Sequence, residues 1–230
     1  MGALYLIGTY HHDKDKGPEK LKKLYRAIRP DIVLSETEAT TYTGVGQLII
    51  QFQTELMKHT TDFSGVEDFI LNYQKSIGFE IPFNIEYAKA NNIPLHMIDS
   101  PNAQRKAYRS LEKNIAGLTA RAREQSHVDI RSWLESYNSC PEFDESVPNE
   151  FWKEIESFEG TALGELILFL VRLKTKSSKD SYMESQIRRL YDPEKVIAFP
   201  VGMIHIAESK TRQTLYSKVK DLNPERIPLI

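Results

Sequence analysis

Two copies of a short pattern, Gly-x-x-His, follow apolar runs near opposite ends of the chain. The first, Gly-Thr-Tyr-His, ends at His11, and the second, Gly-Met-Ile-His, ends at His205. Glycine lets the backbone turn sharply or be approached closely, so that the histidine presents an imidazole beyond it. Glu36 ends a third apolar run, Asp-Ile-Val-Leu-Ser-Glu. Two imidazoles and one carboxylate are a donor set that suits a transition metal with a coordination position open to water.

Short apolar runs predict the strands that position these side chains. All of them end at a polar residue or glycine, and we assign them to Ala3–Gly8, Asp31–Glu36, Pro94–Asp99 and Lys195–Gly202. The first, second and fourth are rich in β-branched or aromatic residues. Near-continuous apolarity is typical of strands covered on both faces. The sequence therefore predicts an α/β fold with a mixed, largely parallel central sheet flanked by helices.

Helical periodicity occupies most of the remaining chain. It predicts helices over 18–28 and at about 82–91, 149–174, 179–190 and 206–220. The stretch from about 102 to 174 contains no convincing strand. We expect a single α/β domain over residues 1–230, with a helical insertion at about 102–174 that forms a cap.

The carboxyl edge of such a sheet is the expected functional site, because ligands of open α/β folds bind there. Neighbouring strands are about 4.8 Å apart, so His11, Glu36 and His205 converge if the first, second and last strands are neighbours. We expect these three residues to be catalytic or to hold a divalent metal ion, with Gly8 and Gly202 beside the cofactor. In the alternative interpretation the glycines are ordinary turn residues, and the histidines are hydrogen-bonded at loop starts.

Further candidates near this edge have two interpretations each. Asp99 ends the third strand, where it either holds the second nitrogen of a histidine or caps the helix that begins near Pro101. Glu80 and Glu86 are either candidates for a general base or members of a solvated helix face. His12 adjoins His11, but the Gly-x-x-His register favours His11.

Residues 4–36 resemble the opening of the TraB/TIKI-type superfamily. In that pattern a strand ends in Gly-Thr-x-His, a helix follows, and Pro-Asp opens a second strand that ends in glutamate. The superfamily's closing pattern, an acidic-x-x-Met helix and a strand leading into Gly-x-x-His, is similar to Asp180–Met183 followed by Val196–His205. The chain departs from the family where Ser100 and Lys179 replace common arginines, and where Ile206-Ala207-Glu208 follows the last motif without the usual glycine.

This resemblance implies an α/β fold shared with erythromycin esterase-like and ChaN-like proteins. TIKI members are metal-dependent proteases whose two histidines and glutamate carry the activity, so His11, Glu36 and His205 inherit that role by analogy. The same analogy brings Asp180 to the cofactor site, although helix capping explains this residue equally well. ChaN-like relatives bind haem iron instead.

Composition limits the partners. The chain has 30 Lys and Arg against 32 Asp and Glu, so its net charge of −2 argues against a nucleic-acid binder. Cys140 is the only cysteine, which favours a reducing compartment, and we expect a cytoplasmic protein. Met1–Ile7 has no basic leader, and no apolar run reaches the roughly 20 residues of a membrane span, so neither a signal peptide nor an integral membrane segment is expected.

The sequence thus predicts a metal-dependent hydrolase of amide, peptide or ester bonds, acting on a small-molecule or peptide substrate. Two alternatives remain open. One is a protein of the same fold that binds a metal, haem or a peptide without catalysis. The other is a metal-free hydrolase that resembles erythromycin esterases and uses histidine as its general base.

Overall fold

A computed structural model gives the positions of most of the chain. It describes residues 2–11, 13, 16–37, 78–101, 146–175, 179–211 and 213–230, with scattered positions at 47–58 and 105–120. The chain divides into two compact units. The first comprises 1–37, 78–100 and 143–230, and the second comprises 38–77 and 101–142, in which most of the described positions are helical.

The first unit is built on a sheet whose five described strands are all parallel. Along the chain they are β1 (Ala3–Thr9), β2 (Ile32–Ser35), β3 (Leu95–Met97), β4 (Val196–Gly202) and β5 (Glu225–Pro228). Their spatial order is β3-β2-β4-β1-β5. The α/β prediction is confirmed, and the first, second and last predicted strands are neighbours, with β4 in the middle. The short β5 is a strand that sequence analysis missed.

Helices of the first unit follow the predicted pattern in part. They are α1 (Gly17–Ile28), α2 (Glu80–Asn91), α3 (Val147–Phe158), α4 (Ala162–Thr175), α5 (Lys179–Leu190) and the short α6 (Leu215–Lys218). The predicted single helix over 149–174 is wrong, because Gly160 takes a positive φ of 69° and separates α3 from α4. The predicted helix over 206–220 is also wrong: a 3₁₀ turn at Met203–Ile206 precedes α6.

Helices cover both faces of the sheet. Leu6 and Phe199 point to one face, where they join a core cluster with Trp152 of α3 and Met183 of α5. Ile7 and its neighbours on the other face pack against helices α1 and α2, through Leu21, Tyr25 and Phe83. Successive side chains of β1 point alternately into two apolar cores. This explains why the strand sequences are continuously apolar.

Helices α3 and α4 belong to the same compact unit as the sheet, whereas residues 101–142 belong to the second unit. The cap function expected of 102–174 remains a prediction. No helix among the described residues is long and apolar enough to cross a membrane.

Candidate functional site

Both Gly-x-x-His motifs lie at the carboxyl edge of the sheet, on the neighbouring strands β1 and β4. Thr9 at the end of β1 pairs with Gly202 at the end of β4. A Cβ at Gly8 would lie 2.4 Å from Ile206 Cδ1. The lack of a side chain at Gly8 therefore lets the 3₁₀ turn that carries His205 pack directly on β1.

Gly202 brings the two imidazoles together. A Cβ at this position would lie 2.9 Å from His11 Nε2 and 3.4 Å from His205 Cδ2. Because His11 Nε2 and His205 Cδ2 both lie near this Cβ position, the two atoms are at most about 6.3 Å apart. The two histidines, which are 194 positions apart in the sequence, thus flank the same glycine.

Glu36 lies beside them, one residue beyond the end of β2. Its Oε2 accepts a hydrogen bond of 2.8 Å from the Gly202 backbone N–H, and its Oε1 lies 3.6 Å from His205 Nε2. The carboxylate is buried. Burial alone would raise its pKa, but the charges of Lys179, His205 and His11 outweigh burial and hold the pKa of Glu36 well below its usual range.

Lys179, the first residue of α5, is the cation that balances this carboxylate. Its Nζ donates to Glu36 Oε1 at 2.5 Å and lies 3.3 Å from Asp99 Oδ2. Burial opposes protonation of the ammonium, yet the two carboxylates raise the pKa of Lys179 above its ordinary value. Sequence analysis noted Lys179 only as a departure from an expected arginine. Its position directly before Asp180 was the available signal.

Asp180 holds His205. The Nδ1–H of His205 donates to Asp180 Oδ1 at 2.5 Å. Burial would lower the pKa of His205, but the charges of Asp180 and Glu36 raise it above the ordinary value. With Nδ1 engaged, the second ring nitrogen, Nε2, faces Glu36.

Glu80 does the same for His11. The first residue of α2 is almost fully buried, and its Oε1 accepts a hydrogen bond from His11 Nδ1. Burial lowers the pKa of His11, but the hydrogen bond and charge of Glu80, helped by Glu36, raise it to about 9. The solvated interpretation of Glu80 is wrong, whereas Glu86 on the same helix is indeed exposed. Periodicity could not separate these two glutamates, because burial of Glu80 depends on the docking of α2 against β2 and β3.

The remaining candidates lie as follows. Asp99 is buried and contacts Lys179, while the two histidine Nδ1 atoms are held by Asp180 and Glu80. Its Oδ1 also accepts the Ser100 backbone N–H at 2.6 Å. His12 and Cys140 lie outside the described residues.

The edge therefore has an unusual charge balance among its described side chains. Four buried carboxylates (Glu36, Glu80, Asp99 and Asp180) lie at this edge, and the Lys179 ammonium beside them contacts two of the four, Glu36 and Asp99. Three formal negative charges remain when both imidazoles are neutral. Two protons on the histidines compensate most of that charge, and one divalent cation would compensate the same amount. Among the described residues, no group of three or more His, Cys, Asp or Glu side chains forms a ready metal-binding cluster.

Comparison with known proteins adds no assignment: no family model, no curated protein and no solved structure matches this chain. The resemblance to the TraB/TIKI-type superfamily therefore remains a prediction.

Proposed function

We propose that this chain is a hydrolase of amide or ester bonds that works at the carboxyl edge of its sheet, with His11, His205 and Glu36 as the reacting groups. One observation carries the proposal. Two imidazoles, each held through Nδ1 by a buried carboxylate, flank one glycine next to a third buried carboxylate. The single cysteine leads us to expect that the protein acts in the cytoplasm.

The hydrogen bonds determine which ring atoms are available for chemistry. A neutral imidazole that donates Nδ1–H to a carboxylate keeps a lone pair on Nε2, and the carboxylate increases its basicity. Asp180 and Glu80 hold His205 and His11 in this way. Each Nε2 is then able to accept a proton from an attacking water or to bind a metal ion.

The donor set fits a divalent metal ion by type, and in part by distance. His205 Nε2 and Glu36 Oε1 are 3.6 Å apart, which suits two ligands that each lie about 2 Å from one ion. His11 Nε2 is the third donor of the predicted set. When bound, the ion would lower the pKa of a water molecule and polarise the substrate carbonyl. It would compete with the Lys179 ammonium for Glu36, since both are cations.

Because Lys179 and a metal ion would compete for Glu36, a second mechanism of hydrolysis that needs no metal is favoured. Lys179 already supplies positive charge to Glu36 and Asp99. One imidazole would then act as general base through Nε2, and the ammonium would stabilise the negative charge that develops on the substrate carbonyl oxygen. Since the pKa of His11 is about 9, the free base is scarce at pH 7, and metal-free activity should rise with pH up to that value.

The test is hydrolysis by untagged protein. A panel of p-nitrophenyl esters and fluorogenic peptides is assayed after treatment with EDTA and again after addition of Mn²⁺, Co²⁺ or Zn²⁺. We expect turnover that falls at least about 100-fold in His11→Ala, His205→Ala and Glu36→Gln. His96→Ala is the matched control, because His96 lies on β3 within the same sheet and has no part in the proposed site.

The outcomes separate the alternatives. Turnover that requires the added metal supports the metal-dependent version, and turnover that survives EDTA supports the metal-free version. Stoichiometric metal binding without turnover of any substrate would indicate a non-catalytic binding protein. Full activity in the three site variants would refute the proposed site.

A further inference from the structure

An apolar cavity of about 370 Å³ lies between α3, α4 and the segment that follows β4. The large apolar side chains of its walls are Phe151, Ile155, Phe158, Ile167, Leu168 and Ile204. A cavity of about 150 Å³ lined by aliphatic and aromatic residues binds benzene, so this one has room for roughly 15 carbon atoms by proportion. The volume falls within the range of small-molecule sites.

The cavity adjoins both Gly-x-x-His motifs. Ile204, one of its wall residues, directly precedes His205. Phe151, another wall residue, makes an edge-to-face contact with Tyr10, at 6.0 Å between ring centroids, and Tyr10 directly precedes His11. Each histidine is thus one residue away in the sequence from a side chain that lines the cavity or contacts its lining.

The polar residues of the cavity indicate the charge of its occupant. Glu154, Glu159 and Glu208 line it, and the described lining residues include no Lys, Arg or His. Glu159 is bound by Arg226, and Glu208 by Lys220. Two of the three carboxylates are therefore paired with cations that do not line the cavity, and none of the described lining residues offers a cation to an occupant with a free carboxylate. A neutral apolar group would gain roughly 25 cal/mol for each Å² of surface that it buries.

We propose that this cavity is the subsite for a neutral apolar group of the substrate, so that the enzyme prefers amides or esters that carry a medium-length acyl chain or an aromatic group. This inference rests on the proposed function for its role in turnover. The cavity's ability to bind an apolar molecule does not depend on catalysis, and it is tested separately.

The binding test uses N-phenyl-1-naphthylamine, a neutral apolar probe whose fluorescence increases when it leaves water. We expect saturable binding by the full chain that weakens at least about tenfold in Leu168→Phe, because the larger ring fills the cavity. Leu166→Phe is the matched control. It makes the same change on the same helix, at a side chain that is 52% exposed and does not line the cavity.

Turnover gives the second readout. In the native chain, kcat/KM should be more than about tenfold higher for p-nitrophenyl octanoate than for p-nitrophenyl acetate. This preference should decrease in Leu168→Phe and remain unchanged in Leu166→Phe. Absence of probe binding, or binding that Leu168→Phe leaves unchanged, would overturn the subsite whatever the activity. Probe binding that responds as expected in a chain without any hydrolysis would support the subsite while refuting the proposed function.

Discussion

Lys179 and Glu36 form a partly buried ion pair at the carboxyl edge of the sheet, with Nζ 2.5 Å from Oε1, although 143 positions separate them in the sequence. The same ammonium lies 3.3 Å from Asp99. One cation thus binds two carboxylates in a region where the described side chains carry excess negative charge. Lys179 therefore contributes to the charge balance of the edge together with the two histidines.

Replacement of Lys179 should destabilise the protein and change its affinity for metal ions. Lys179→Met leaves Glu36 and Asp99 buried without their cation, which we expect to lower the free energy of unfolding by about 2 kcal/mol. A divalent ion would then face no competing ammonium, so its binding should become tighter. Urea denaturation with and without Mn²⁺ measures both effects, and Lys153→Met, at an exposed position of α3, is the control. Unchanged stability in Lys179→Met would show that the ion pair is not maintained in solution.

Removal of the Glu80 charge should lower the pKa of His11. Glu80→Gln deletes the principal group that raises this pKa to about 9, while burial, which lowers it, remains. The pKa should therefore fall from about 9 toward the ordinary value of 6.5, while the charge of Glu36 continues to raise it. NMR titration of the His11 ring protons measures the change. Glu86→Gln, an exposed change on the same helix, should have no effect. A pKa that stays near 9 in Glu80→Gln would refute the pairing.

The stability of the protein should decrease in mildly alkaline solution. The pKa of His11 is raised from 6.5 to about 9 on folding, so the protonated pair stabilises the native state fully below pH 6.5 and is lost as the pH rises through 9. The raised pKa of His205 acts in the same direction. Chemical denaturation between pH 6 and 9.5 should show this decline. His11→Gln should flatten it, and His96→Gln should not. A native chain of constant stability over this range would contradict the raised pKa values.

The backbone conformation at Gly202 should permit alanine, but the side chains around this position should not. Its φ of −50° and ψ of 136° are accessible to any residue. A Cβ would nevertheless lie 2.9 Å from His11 Nε2 and 3.4 Å from His205 Cδ2. We expect Gly202→Ala to fold, with a loss of about 1–3 kcal/mol, and to lose activity about 100-fold because the imidazoles move.

NMR chemical shifts of the two histidine rings, measured beside turnover, would report that movement directly. Gly117→Ala is the control, because a Cβ at Gly117 would meet nothing within 4 Å. Native ring shifts and native turnover in Gly202→Ala would show that the two rings do not share this space.

The sequence by itself determined the α/β architecture. Strands covered on both faces and amphipathic helices are recognisable from the type and spacing of neighbouring residues. It also indicated His11, Glu36 and His205, since each follows a strand whose end the pattern marks. Only the tertiary structure decided which charged groups hold them. Glu80 and Lys179 begin helices whose docking places their side chains at the sheet edge. That docking depends on contacts between residues distant in the chain, which periodicity does not record.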